Sequence, residues 1–194
     1  MTDQYFAPSP RSASKPATVR LVLPDLTAEL VTDRGVFAAG ALDAGTKLLL
    51  LEAPPPPSSG DLLDLGCGYG AIARTLAHRA PHATVWALDV NERARALCAA
   101  NTAGHGVRVV APEEVPDHVQ FAAIWSNPPI RIGKRSLHEL LDRWLGRLTP
   151  DGVAVLVVQK HLGADSLARH LADRGWSVRR FIARQGYRLL EVRR

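Results

Sequence analysis

Three stretches carry side chains whose type and spacing could do chemistry. The first is Asn127-Pro128-Pro129-Ile130, after the apolar run 121–125 and Ser126. Two prolines cannot continue a central strand, so the chain must leave a sheet here. Each holds the residue before it extended, and neither has an N–H to donate. The loop therefore offers acceptors: the Asn127 carboxamide oxygen and the neighbouring carbonyls. Acceptors fixed at a strand end suit a substrate that donates, such as the exocyclic NH2 of a nucleobase. The second stretch is Asp64-Leu65-Gly66-Cys67-Gly68-Tyr69-Gly70, between a predicted strand and a predicted helix. Its glycines remove side chains where a ligand would press on the backbone, and the helix N-terminus behind them presents free N–H groups. The third is Asp89, which ends the next predicted strand about 20 residues on, where a carboxylate grips ribose hydroxyls. Gly66, Gly68 and Ala71 also satisfy the dinucleotide pattern, which keeps NAD(P) in consideration. Asp64 speaks against it: a carboxylate at the turn repels pyrophosphate and favours a ligand bearing an ammonium or sulfonium.

The rest of the chain offers less. With 194 residues and a net charge of +5, the protein is expected to be one basic domain. From Arg169 onward, eight arginines face only Asp173 and Glu191, and Arg131, Lys134, Arg135, Arg143 and Arg147 follow the Pro-Pro loop. Basic residues near a possible active site suggest a phosphate-bearing partner, with Arg131, Lys134 and Lys160 placed to hold backbone phosphates. His78 and His82 are separated by Pro81 and no other His or Cys has ligand spacing, so no metal site is expected. Cys67 and Cys98 form no disulfide framework, and Cys98 reads as a small core residue. His138 is expected to be a solvated or packed helix residue, and Tyr187, Trp125, Trp144 and Trp176 packing residues. No signal peptide and no apolar run long enough to span a bilayer are visible, which fits a reducing cytoplasm.

The elements that must position these residues follow from periodicity. Residues 1–17 read as a loose leader. Two strand-like runs, 18–23 and 26–31, and a short helix that Asp43 could cap form a preface over 18–60, closed by the extended Pro-rich segment 54–60. From residue 61 strands and helices alternate: strands at 62–65, 84–88, 107–110, 121–125 and 153–158, helices at 71–79, 92–101, 135–148 and 164–174. Residues 149–152 read as a turn. Two closing strands, 177–183 and 187–192, join through a three-residue hairpin loop. The pattern predicts an α/β protein, a mostly parallel sheet with helices on both faces and one antiparallel strand. The core would cover 61–194.

On these residues the chain resembles class I S-adenosylmethionine-dependent methyltransferases acting on amino groups. GVF at 35–37, LDAGTKLLL at 42–50 and NPPIRIGK at 127–134 resemble more narrowly the small-subunit ribosomal RNA guanine-N2 methyltransferases. The resemblance runs from about residue 18 to the end and implies a Rossmann-like, seven-stranded sheet. It implies that Asp64, Gly66, Cys67, Gly68 and Gly70 line the methionine side of S-adenosylmethionine. Asp89 would hold the ribose, with Val90 and Asn91 near the adenine. Asn127, beside the cofactor's methyl, and Pro128 would receive the target amine, Pro129 and Ile130 completing the motif. The partner implied is ribosomal RNA or the small ribosomal subunit. Two departures stand out: Ile130 replaces a frequent aromatic, and Ala111-Pro112-Glu113 occupies the place of an acidic or amide adenine partner. Three readings follow: an RNA guanine-N2 methyltransferase, an N-methyltransferase for protein glutamine or a small amine, and a cofactor-binding RNA-interaction protein without activity.

Overall fold

The computed structural model describes residues 12–194, so most of the expected leader lies outside the described residues. Strands β1 (Ala17–Val22) and β2 (Thr27–Thr32) pair antiparallel around a turn closed by Leu23 N–H donating to Leu26 O at 2.8 Å. Helix α1 (Ala44–Glu52) follows; the Asp43 side chain accepts from Thr46 N–H, capping it as expected. Then come β3 (Asp61–Leu65), α2 (Ala71–Arg79), β4 (Thr84–Leu88), α3 (Glu92–Asn101), β5 (Val107–Val110) and β6 (Phe121–Ser126). The chain finishes with α4 (Lys134–Leu145), β7 (Leu148–Gln159), α5 (Ala164–Asp173), β8 (Ser177–Arg184) and β9 (Tyr187–Arg193).

The main sheet has seven strands in the order β5-β4-β3-β6-β7-β9-β8. Strands β3 to β7 pair in parallel, and β9 runs antiparallel between β7 and β8, which places the expected reversed strand. Side chains alternate faces along each strand. In β7, Val155 and Val157 join an apolar cluster with the α1 leucines, α2, α3 and the β1–β2 hairpin. Ala154, Leu156 and Val158 join a second cluster with α4 and α5 on the other face. The preface thus shares its apolar interior with one face of the sheet. Helices α4 and α5 meet partly through His138, whose ring stacks on His170 at 3.5 Å between centroids.

Two boundaries differ from the sequence expectation by more than one residue. Helix α4 stops at Leu145, where Gly146 caps it, rather than at 148. The expected turn at 149–152 is a bulge inside β7: Leu148 pairs with Phe121 and Val153 with Ala123, so four residues loop out opposite one. Pro150 sits in that bulge, where no ladder N–H is needed. Gly152 is the residue that lets it close, because a Cβ there would meet Phe121 O at 2.9 Å. Strand β3, between β4 and β6, is where successive connections turn to opposite sides, and the crevice above such a point is where ligands bind in open α/β sheets.

Candidate active site

A cleft of about 360 Å³ opens over the C-terminal ends of β3, β4, β6 and β7, within the range of small-ligand sites. One wall is the glycine-rich turn. Leu88 O accepts from Gly66 N–H at 2.8 Å and Cys67 N–H at 2.9 Å, curling the chain over the end of β4. Gly68 has φ +52°, and a Cβ there would meet nothing within 4 Å; bare backbone faces open space. Asp89 Oδ2 accepts from Gly68 N–H and Oδ1 from Asn91 N–H, both at 2.9 Å. Burial raises the Asp89 carboxyl's pKa, opposed by these N–H groups. Each oxygen keeps acceptor capacity, which suits a vicinal diol. Leu88, Val90, Ala94 and Pro112 add an apolar wall fit for a planar ring.

Not every residue of the glycine motif reaches the cleft. Asp64 is fully buried behind the turn; its Oδ2 accepts from Ala73 N–H at 2.9 Å, capping α2 from outside the helix, and its Oδ1 has no partner. Burial, aided by the nearby Asp89 charge, pushes its carboxyl up to about 8 against the Ala73 N–H. The Cys67 thiol lies buried against Cys98, and that contact together with burial raises its pKa well above the usual range. Gly70 is a packing glycine: a Cβ would meet Cys98 Sγ at 2.8 Å. Asn91 is buried as well; its Oδ1 caps α3 by accepting from Arg93 N–H and Ala94 N–H, while its Nδ2 donates to Gly35 O at 2.9 Å. Asp64, Cys67, Gly70 and Asn91 shape the wall; Gly66, Gly68, Asp89 and Val90 line it.

The opposite wall is the Pro-Pro loop, and Asn127, Pro128, Pro129 and Ile130 all line the cleft. Ser126 Oγ–H donates to Leu65 O at 2.6 Å, tying the end of β6 to the end of β3. Asn127 Nδ2 donates to Asp43 Oδ2 at 2.8 Å and to Thr46 Oγ1 at 3.0 Å. A carboxylate only accepts, so the amide end facing Asp43 must be nitrogen, and the oxygen is left for the cleft. Pro128 O already accepts from Ile130 N–H at 2.8 Å and keeps one lone pair. A Cβ on Gly66 would sit 4.0 Å from Pro129 Cδ, so the two loops face each other closely.

Sequence reasoning missed part of this lining. Asp43 was legible as a helix cap but not as Asn127's partner. Val36 and Phe37 reach in from the preface, Gln159 and Leu162 from the end of β7, and Tyr187 from β9, so Tyr187 is a wall residue as well as a packing one. Of the cations, Arg131 lines the cleft, while Lys134 and Lys160 lie exposed outside it. None of the three has an ion-pair partner among the described residues. The carboxy-terminal arginines differ: Arg174 pairs with Asp142, Arg179 and Arg193 with Glu191, Arg180 with Asp165, and Arg184 with Glu52. Among the described residues no cluster of three or more His, Cys, Asp or Glu side chains is placed to hold a metal ion. No described helix is long and apolar enough to cross a membrane.

A glycine turn, a carboxylate closing the next strand and an Asn-Pro-Pro loop over the switch point of such a sheet define a class I S-adenosylmethionine-dependent methyltransferase. The chain belongs to the methyltransferase small domain family, whose profile matches residues 27–191. Over its whole length it is 30% identical to the uncharacterised Bacillus subtilis protein YbxB, itself covered completely. It is also similar to proteins named ribosomal RNA small subunit methyltransferase C. That of Pseudomonas aeruginosa is 34% identical over 90% of this chain and 53% of its own length, and that of Shewanella oneidensis 35% identical over 66% and 39%. The chain therefore spans about half or less of those enzymes. Among solved structures, the T. thermophilus 16S rRNA N2 methyltransferase, in complex with AdoMet and guanosine, superposes with a TM-score of 0.76. It covers 92% of this chain and 50% of its own at 24% identity.

Proposed function

We propose that the protein methylates the exocyclic N2 amine of a guanine in small-subunit ribosomal RNA, in the cytoplasm, using S-adenosylmethionine. The observation that carries this reading is the Asn127 carboxamide, fixed by Asp43 and Thr46 so that an acceptor oxygen faces the cleft opposite the glycine turn. Similarity to the ribosomal enzymes selects the substrate class.

When bound, S-adenosylmethionine supplies a methyl group to the attacking nitrogen, the bonding pair staying on sulfur and a proton leaving the nitrogen. Gly66 and Gly68 give the cofactor bare backbone, Asp89 takes the ribose hydroxyls, and the apolar wall at Leu88, Val90 and Pro112 takes the adenine. On the other side Asn127 Oδ1 and the remaining lone pair of Pro128 O accept the two N–H groups of the target amine. That amine is a poor nucleophile because its lone pair is delocalised into the base; holding both protons in fixed acceptors would localise the lone pair on nitrogen and leave it free to attack. The same dipoles stabilise the positive charge that grows on nitrogen, and they need no reorganisation at that moment. A paired guanine must first be extruded from its helix, at a cost of about a few kcal/mol. Arg131, Lys134 and Lys160, without ion-pair partners among the described residues, hold the flanking phosphates, which position the substrate without specifying it.

The test is transfer of labelled methyl from S-adenosylmethionine to small ribosomal subunits and to their extracted RNA, followed by nucleoside analysis. N2-methylguanosine is expected. Label in a ribosomal protein or only in small amines would overturn the substrate, and cofactor binding with no transfer to any of them would overturn the activity.

A further inference from the structure

Asp43 lines the substrate side of the cleft, and only one of its carboxylate oxygens is engaged. Oδ2 accepts from Thr46 N–H at 2.9 Å and from Asn127 Nδ2 at 2.8 Å. Oδ1 takes no hydrogen bond from the described residues, and it is absent from their buried unpartnered polar atoms. A carboxylate with a free, accessible oxygen therefore stands beside the amide that receives the target amine. Its place is fixed from behind: Gly45 has no Cβ because one would come within 2.6 Å of the Tyr187 ring and 3.0 Å of Asp43 Oδ2. Nothing in the transfer of a methyl to an amine requires a second acceptor of full negative charge there.

Base chemistry supplies a use for it. Guanine presents two neighbouring kinds of donor on its Watson–Crick edge, N1–H and N2–H2. Adenine and cytosine place an acceptor next to their amine, at N1 and N3 respectively. A carboxylate next to the amine acceptor bonds the first arrangement and repels the lone pair of the second. We infer that Asp43 reads the N1–H of the target purine through Oδ1 and so selects guanine over the other amino-bearing bases. The inference deepens the guanine reading above and rests on it. A pocket built to pair a buried polar edge rejects analogues lacking that edge far more strongly than an apolar pocket rejects a missing methylene. Asp43 also fixes the orientation of Asn127, so one side chain both aims the amine acceptor and reads the adjacent ring position.

Nucleoside binding to the protein saturated with S-adenosylhomocysteine separates these roles without any turnover. Guanosine, O6-methylguanosine and 2-aminopurine riboside share the N2 amine; the last two carry no proton at N1, and O6-methylguanosine keeps an oxygen at C6, so a preference for guanosine over both reports on N1–H. The wild type should bind guanosine about tenfold to a hundredfold more tightly, the loss typical of a hydrogen bond to a charged group. An affinity for either analogue equal to that for guanosine, or no binding of any of the three, would overturn the assignment. Asp43→Asn supplies the second arm: its amide oxygen can keep the α1 cap and the Asn127 contact, which turns an NH2 toward the base. The preference should then vanish or invert, whereas a merely structural role would leave the ratio unchanged. A variant of wild-type thermal stability that kept the wild-type ratio would likewise sink the idea; if it fails to fold, the wild-type comparison decides. Inosine, which keeps N1–H and lacks the amine, reports on Asn127 instead. Loss of the preference for guanosine over inosine would therefore refute the amine-acceptor reading while leaving that of Asp43 intact.

Discussion

Asn127→Asp exchanges one amide nitrogen for an oxygen and turns the contact that aims the site into a repulsion. Nδ2 now lies 2.8 Å from Asp43 Oδ2. Two unit charges at that 2.8 Å separation repel by about 1.5 kcal/mol in bulk water and about 6 kcal/mol at an effective dielectric constant of ~20. Both residues are half-buried, so the cost falls between those limits. Like-charged carboxylates relieve such repulsion by binding a proton, which raises the upper apparent pKa of the variant's carboxylate pair. The folded variant then holds a proton that its unfolded chain releases near pH ~4. Relative to the wild type it is little affected below that pH, and it loses stability as pH rises through the raised value. Urea unfolding of both proteins at pH 4.5 and pH 8 reads the difference. The variant should lie near the wild type at the lower pH and fall behind by about 1.5–6 kcal/mol at the higher one. Methyl transfer should drop about a hundredfold or more because the acceptor is no longer held in place. A variant that tracked the wild type at both pH values would mean that no carboxylate stands beside residue 127, and the aiming of Asn127 by Asp43 would be wrong.

Other expectations test the remaining parts. Asn127→Ala should lose about a hundredfold or more in kcat while calorimetry finds S-adenosylhomocysteine affinity nearly unchanged. Asp89→Ala should weaken that affinity by about 1–3 kcal/mol; calorimetry that found NAD(H) binding and no adenosylmethionine binding would overturn the cofactor. Burial pushes the Asp64 carboxyl up to about 8, so the folded chain retains a proton that the unfolded chain loses near pH ~4. Its contribution to stability is present below that and fades as pH rises toward 8; Asp64→Asn should flatten this slope in urea unfolding measured from pH 5 to 8. Alanine at Arg131, Lys134 or Lys160 should each reduce the salt dependence of RNA binding by about 0.7–0.9 in log–log slope, as loss of one phosphate contact would. Arg180→Ala, which removes a side chain already 3.4 Å from Asp165, should leave it unchanged in a filter-binding titration.

How much of this was legible in the sequence depends on how local each feature is. The glycine turn, Asp89 and the Asn-Pro-Pro loop are short motifs at strand ends, so their place around the cleft was legible from residues adjacent in the chain. Which members of the glycine motif face the cleft was not legible. Asp64 and Leu65 are neighbours on one strand, so the pleat sends them to opposite sides, and only tertiary packing shows Asp64 bonded to Ala73 behind the turn. The β7 bulge escaped for a related reason: Pro150-Asp151-Gly152 is a turn signal by composition, and only the pairing of Leu148 with Phe121 shows that the strand resumes around it. Charge misled most. The carboxy-terminal arginines read as an excess of positive charge, and their partners lie far off in the chain: Arg184 meets Glu52 from 132 positions away and Arg179 meets Glu191 across a strand pair. Partners that distant leave no mark in a local reading.

The bond between Asn127 and Asp43 joins residues 84 positions apart. Cofactor binding needs the ends of β3 and β4, whereas aiming the acceptor needs α1 seated against the sheet. Elements of a domain open with different free energies, and α1 packs on one face of the sheet rather than pairing within it. A molecule whose α1 has swung away loses the Asp43 contact that orients Asn127, whereas the Asp89 contact to the glycine turn involves no residue of α1. As temperature or denaturant rises, turnover should fail before cofactor affinity does. The gap between those two midpoints measures how firmly the amino-terminal preface is docked.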